Sequence, residues 1–288
     1  MRTNWRTAVL PLAVLAAVSG CAVQPAQRPA DLAAAVITAN LATLRQSWQL
    51  TNAENTIARQ CMRKIGFDYL ISEEPRPSAN TDTEDQIGTG RPVTYGVQPP
   101  KEGPPAEDQY VNGLAEPLRS RYLTALDGPA GPLGTIRMPS GTVADFITGG
   151  CIAQARVELY GNLRAGVAAL LTPSDVTTMF GRFLSTDHDY QSALTSWQRC
   201  MAAADWQVRT PTEAIQNLRK LTSAQQLASQ QPAEAGADVT CDGHTHLRDR
   251  TSQARARFLA TQPASVLSQL VDVYRTRQHA LAVAATLG

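Results

Sequence analysis

Two stretches of this chain, "QCMRKIGFDY" at 60–69 and "RCMAAADWQV" at 199–208, read alike. Each has Cys-Met, three residues, a small or turn-forming residue and then an aromatic, Gly66-Phe67 in one and Asp205-Trp206 in the other. Each closes a stretch of helical periodicity. Leu194, Trp197, Met201 and Ala204 recur at spacings of three and four, as do Ile57, Cys61 and Ile65. Each is followed by one further cysteine, Cys151 or Cys241. Internal duplication is the economical reading, and it constrains the fold more than any other feature. Cys61, Cys151, Cys200 and Cys241 are an even set, which favours two disulfides in an oxidising compartment with three connectivities open. No two of them lie closer than 41 residues, whereas zinc sites use close pairs. If the units are duplicates, each closes its own bridge: Cys61 with Cys151, and Cys200 with Cys241.

The fifth cysteine needs a separate account. Arg2 and Arg6 precede an apolar run from Ala8 to Val18, too short for the roughly 20 residues of a membrane-spanning helix. A basic start, a short apolar stretch and small residues before a cut site make a secretory signal. Val18-Ser19-Gly20-Cys21 resembles the lipobox of bacterial lipoproteins. That resemblance implies that residues 1–20 are removed and that Cys21 becomes the acylated first residue, holding the protein to the membrane. Residues 21–30, with Pro25 and Pro29 and no large apolar side chain, read as a tether.

Beyond the tether the expected class is mainly α, in two related disulfide-closed helical units. The first is expected over 31–186, with a long Pro/Gly-rich loop at 75–140, and the second over 187–288. Residues 75–139 carry 11 of the 18 prolines, which excludes continuous helix. A short helix is expected near Leu114 to Leu126 with Pro117 in its first turn, and "GTIRM" at 134–138 reads as one arm of a hairpin. Ile37, Leu41, Leu44 and Trp48 form a stripe, and "TNAEN" after it offers a helix start near Asn52. "TPTEAIQNLRKL" has a capping threonine before Pro211. Leu267, Leu270, Val271, Tyr274 and Leu281 form the last stripe. A single core across both units is expected, because each alone is small.

"WQLTNAEN" at 48–55, "CMRKIGF" from Cys61, "GGCIAQARVELYG" at 149–161 and "SWQRCM" at 196–201 together resemble a group of secreted actinobacterial lipoproteins. The resemblance implies kinship and an envelope location; its motifs are cysteine and core positions and name no chemistry.

Catalytic motifs are wanting. The chain has no G-x-S-x-G, S-x-x-K, H-E-x-x-H or phosphate-binding G-x-x-x-x-G-K-[ST]. "TDHDY", with Asp187, His188 and Asp189, reads as a helix N-terminus. "CDGHTHLRD" gathers Asp242, His244, His246 and Asp249 in what reads as a polar turn leading into a helix. Histidines two apart in extended backbone could instead ligate zinc or copper. His279 is expected in solvent on the last helix. Glu73, Glu74, Asp82, Glu84 and Asp85 read as a solvated loop, and its Tyr95 and Tyr110 as possible contacts for a glycan or a protein. Without Arg2 and Arg6, basic side chains number one fewer than acidic ones, so no nucleic-acid partner is expected.

The functional expectation is a membrane-anchored extracytoplasmic lipoprotein, a non-enzymatic binding or accessory component of the cell envelope. Its partners would be the membrane, through Cys21, and an envelope protein or the cell wall, and no cofactor is expected. The alternative is an extracytoplasmic metal-dependent enzyme using His244 and His246 with Asp187 or His188.

Overall fold

The computed structural model describes residues 46–75, 95–99, 103–131 and 133–287, together with Asp31, Ala34 and Val36. Among these the protein is mainly α, with ten helices and one two-stranded antiparallel hairpin. The signal, Cys21 and the tether lie outside the described residues, as do Ile37, Leu41 and Leu44.

Both bridges close within their halves. Cys61–Cys151 joins α1 (Ser47–Ile65) to α4 (Gly150–Tyr160), and Cys200–Cys241 joins α6 (His188–Ala203) to α8 (Ala224–Thr245), each with a Cα–Cα distance of 5.6 Å. The matched sequences make matched local structure. At the end of α1, Gly66 turns left-handed at φ 92°, and the Phe67 N–H donates to the Met62 carbonyl at 3.1 Å. At the end of α6, Asp205 turns left-handed at φ 66°, and the Trp206 N–H donates to the Met201 carbonyl at 2.9 Å. These are equivalent left-handed C-caps, satisfying carbonyls that a helix end leaves bare.

The likeness continues past the caps. Arg59 and Gln198, each two residues before its cysteine, reach forward to the Tyr69 and Arg209 carbonyls at 3.2 and 2.7 Å. Next come two helices that open on Pro-x-Glu, α2 (Ala106–Gly113) after Pro105 and α7 (Pro211–Arg219). Glu107 accepts from the Leu70 N–H, and Glu213 from the Arg209 N–H, both at 2.6 Å. Leu70 and Arg209 each stand nine residues after their cysteine. Thr210 caps α7 through the Glu213 N–H at 3.0 Å, as its sequence predicts.

Where the second half has one long helix, α8, the first has two: α3 (Leu118–Asp127) and α4. Between them the chain leaves and returns to the same place. A methyl added to Gly128 would stand 2.7 Å from the Gly149 backbone, and one on Gly150 2.3 Å from the Leu126 carbonyl oxygen. Only residues without side chains permit that approach. The excursion is a hairpin, β1 (Gly134–Arg137) paired with β2 (Val143–Phe146), in register Gly134 with Phe146 and Ile136 with Ala144. Ile136 and Met138 pack on Val167 of α5 (Leu163–Leu184), and Asp175 of α5 accepts from the Ser140 N–H and hydroxyl at 2.9 and 2.6 Å.

Two local expectations are corrected. The helix does not start near Asn52 but runs on from Ser47. The Asn52 side chain, instead of capping, exchanges two hydrogen bonds with the Glu74 backbone, at 2.7 and 2.9 Å. Leu114 to Leu126 is not one helix: Leu114 ends α2, and α3 begins only at Leu118, so Pro117 stands before the first turn, not in it. The described part of the proline-rich stretch is an ordered excursion, in which α2, α3 and the hairpin occupy most of 103–146.

The last helices bind the halves together. α9 (Leu247–Ala260) lies on α5 and α6, and α10 (Ala264–Ala284) on α1, α4 and α5. Leu267, Leu270 and Tyr274 of α10 join a core with Phe180 and Phe258, while Ala280 enters the core of the first half. One polar strut crosses this junction. Pro173 inside α5 has no N–H to give the Ala169 carbonyl. Buried Arg277 of α10 donates to that carbonyl at 2.9 Å, and to the Ser47 hydroxyl at 2.6 Å.

Candidate functional site

A cavity of about 630 Å³ lies among α5, α6, α8 and α9, within the range of about 300–1,000 Å³ usual for small-molecule sites. Its wall is mostly apolar: Val176, Phe180, Leu184, Leu194, Leu247 and Phe258, with Tyr274 and Val36 beside them. Val36 is itself buried against Phe180, Phe258 and Tyr274.

The inner side of the site is built by α8 in a way that its sequence allows but does not advertise. Counting back from Cys241, which faces inward through its disulfide, the buried positions are Asp238, Ala235, Glu234, Gln231 and Leu227. Polar residues thus hold much of a face that is normally apolar. Each buried polar group requires a partner, and residues 95–99 bring several. The Tyr95 hydroxyl donates to Asp238 Oδ2 at 2.9 Å, and Trp197 Nε1–H to Oδ1 at 2.7 Å. Gln231 accepts from the Val97 N–H at 2.6 Å and donates to its carbonyl at 3.3 Å, completing the pairing as a sheet neighbour would.

Burial raises the Asp238 carboxyl above its ordinary range, against the two hydrogen bonds that favour its ionised form. Burial first, and the Asp238 charge second, push Glu234 up to about 7. Burial and Asp238 raise the Tyr95 phenol, which therefore stays a donor. Asp238 also lines the cavity, so this network and the apolar wall form one site.

The remaining charged side chains at the cavity have local partners. Asp242 accepts from the Arg248 N–H at 2.8 Å and faces its guanidinium at 3.6 Å. Arg255 lies over the Phe180 ring, 5.2 Å from its centre. Thr177 and Thr251 turn their hydroxyls back to the Pro173 and Leu247 carbonyls of their own helices, at 2.9 and 2.8 Å.

The residues singled out from the sequence lie elsewhere or serve structure. Asp187 caps α6, accepting from the Tyr190 N–H at 3.0 Å, and both of its oxygens are held by Arg257 at 2.7 and 3.0 Å. That pair of donors, before all else, holds its carboxyl below the usual range. His188 beside it is exposed. His244 lies in the last turn of α8, and His246 makes the left-handed joint to α9 at φ 54°; both are exposed. The polar turn is therefore a single residue, and the stretch before it is helix. His279 is exposed on α10. Among the described residues, no three His, Cys, Asp or Glu side chains gather as metal ligands. The two tyrosines proposed for outside contacts are internal struts: Tyr95 on Asp238, and Tyr110 edge-on to Tyr122 with its hydroxyl accepting from the Asp68 N–H at 3.4 Å. Glu73 and Glu74 are exposed, and Asp82, Glu84 and Asp85 lie outside the described residues.

Sequence reasoning missed the cavity and the polar stripe. The stripe had a signal, since the 3–4 spacing back from Cys241 lands on Asp238, Glu234 and Gln231. The cavity had none. No protein-family model matches this chain, and no curated protein or solved structure is similar to it.

Proposed function

We propose that this protein is a lipid-anchored extracytoplasmic component of the cell envelope that acts by binding, its ligand or partner received at the cavity among α5, α6, α8 and α9. The observation that carries the binding role is the cavity itself: an apolar space of about 630 Å³ whose polar neighbours are already satisfied by one another. Catalysis asks for groups left poised toward a substrate, whereas this wall offers shape and apolar area. The anchorage is supported by Val18-Ser19-Gly20-Cys21 and by two disulfides, which persist in oxidising compartments. No helix among the described residues is long and apolar enough to cross a membrane, so attachment at the surface would rest on acylation of Cys21.

Expression in a lipoprotein-competent bacterium tests the anchorage. The protein should take up labelled palmitate and partition into detergent, and Cys21→Ala should lose both properties; persistent labelling of that variant refutes it. Crosslinking in the native envelope tests the binding role, with recovery of a defined partner or co-purifying ligand as the expected result.

A further inference from the structure

We infer that the cavity takes the hydrocarbon chain of an uncharged amphiphile, of the class of a monoacylglycerol, and this rests on the binding role proposed above. Three observations converge. The first is charge. The charged side chains at the wall are two arginines and two aspartates, beside the phenols of Tyr190 and Tyr274. Asp242 pairs with Arg248, Asp238 is filled by Trp197 and Tyr95, and Arg255 stacks on Phe180. An uncharged chain disturbs none of these partners.

The second is the hydroxyls. Thr177 and Thr251 donate within their own helices, so these two hydroxyls of the wall have little to offer a polar body.

The third is Gly181, on α5 at the cavity wall. Glycine within a helix is unfavourable relative to alanine, and is usually explained by a close neighbour that leaves no room for a side chain. Here an added Cβ would meet nothing within 4 Å. Gly181 is exposed, and among the described residues nothing fills the space directly beside it. A chain lying along α5 past Val176 and Phe180 would use it.

The test uses the full-length chain carrying Cys21→Ser, so that no acyl group of its own can enter. The uncharged reporter 1-N-phenylnaphthylamine should bind with a fluorescence rise saturating at one site. Monooleoylglycerol should displace it, and monobutyrin, which has the same head and a short chain, should do so at least tenfold less well. Oleate should not outcompete monooleoylglycerol. Gly181→Trp and, separately, Thr177→Phe should each weaken reporter binding at least tenfold with the thermal transition retained. Leu123→Ala, on α3 and not part of the cavity wall, should leave binding unchanged. If both filling variants bind the reporter as the parent does, or monobutyrin competes as well as monooleoylglycerol, the inference falls. Tenfold better displacement by oleate overturns the uncharged head. Loss of the inferred ligand with a protein partner still recovered by crosslinking refutes the ligand class alone. Palmitate labelling of the wild type reports on anchorage independently of either result.

Discussion

The two halves of this protein share a covalent frame and differ in what they place inside it. In the first, α3 and α4, the latter bridged to α1, present Tyr122, Cys151, Ala155 and Leu159 inward, all but Cys151 without any solvent exposure. In the second, the one helix bridged to α6 presents Gln231, Glu234 and Asp238. The first half keeps an apolar interior and interrupts its helix with a hairpin. The second keeps its helix whole and makes its interior polar, beside a cavity. The disulfide and the left-handed cap belong to both, so they are conditions of closure. The inner face is where the halves were free to part.

Removing the bridges tests the shared part, and carries the largest expected effects. The loops closed are 90 and 41 residues. Loop-closure entropy puts Cys61→Ala with Cys151→Ala at about 4.6 kcal/mol and Cys200→Ala with Cys241→Ala at about 3.9 kcal/mol. Denaturant unfolding should rank them in that order. Peptide mapping of each pair variant should find the other bridge intact; a peptide joining Cys61 to Cys200 in the wild type would end the two-unit description.

The matched glutamates come next. Glu107 holds the Leu70 N–H and also receives the hydroxyl of fully buried Tyr122. Glu107→Ala orphans both, at a cost of about 2–4 kcal/mol. Its counterpart Glu213 serves the Arg209 backbone at the surface, and Glu213→Ala should cost clearly less. Equal losses would show that the two Pro-x-Glu helices are coupled to their cores alike.

Glu234 has no apolar equivalent in the first half and gives the second a pH dependence of its own. Its folded-state pKa is raised from 4.5 to about 7. The folded protein therefore holds the proton more tightly than the unfolded chain. Stability is full below pH 4.5, falls as pH rises toward 7, and is level beyond. Glu234→Gln should raise stability at pH 8 by on the order of 2 kcal/mol and flatten this slope. Thermal melts between pH 4 and 8 measure it, and an unchanged slope would return the pH effect to Asp238.

The smallest effect is at the caps. Asp205 adopts the left-handed turn that Gly66 supplies without strain. Asp205→Gly should gain about 0.5–1 kcal/mol, and Gly66→Ala should lose a similar amount. Opposite signs confirm that the caps are equivalent.

How far this was legible follows from how far apart the deciding residues stand. The caps, Thr210 and Asp187 are local devices within a few residues, and the bridges follow from the duplication. Asp238, by contrast, is satisfied by Trp197 and Tyr95, 41 and 143 residues away. The Ala169 carbonyl is met by Arg277 from 108 residues on. Asn52 looked like a cap because its real partner, the Glu74 backbone, lies 22 residues ahead. The cavity is a space between four helices, and a linear pattern has no mark for space.

The Arg277 strut has a mechanical meaning. A pull transmitted into α1 from its N-terminal side meets that helix at Ser47. There the guanidinium ties Ser47 to α10 and, through the Ala169 carbonyl, to α5. The load is shared among three helices at its point of entry instead of peeling α1 turn by turn. Should the strut yield, unravelling stops at Cys61, where the force passes into a covalent bond. The two bridges keep 90 and 41 residues of contour out of reach of extension.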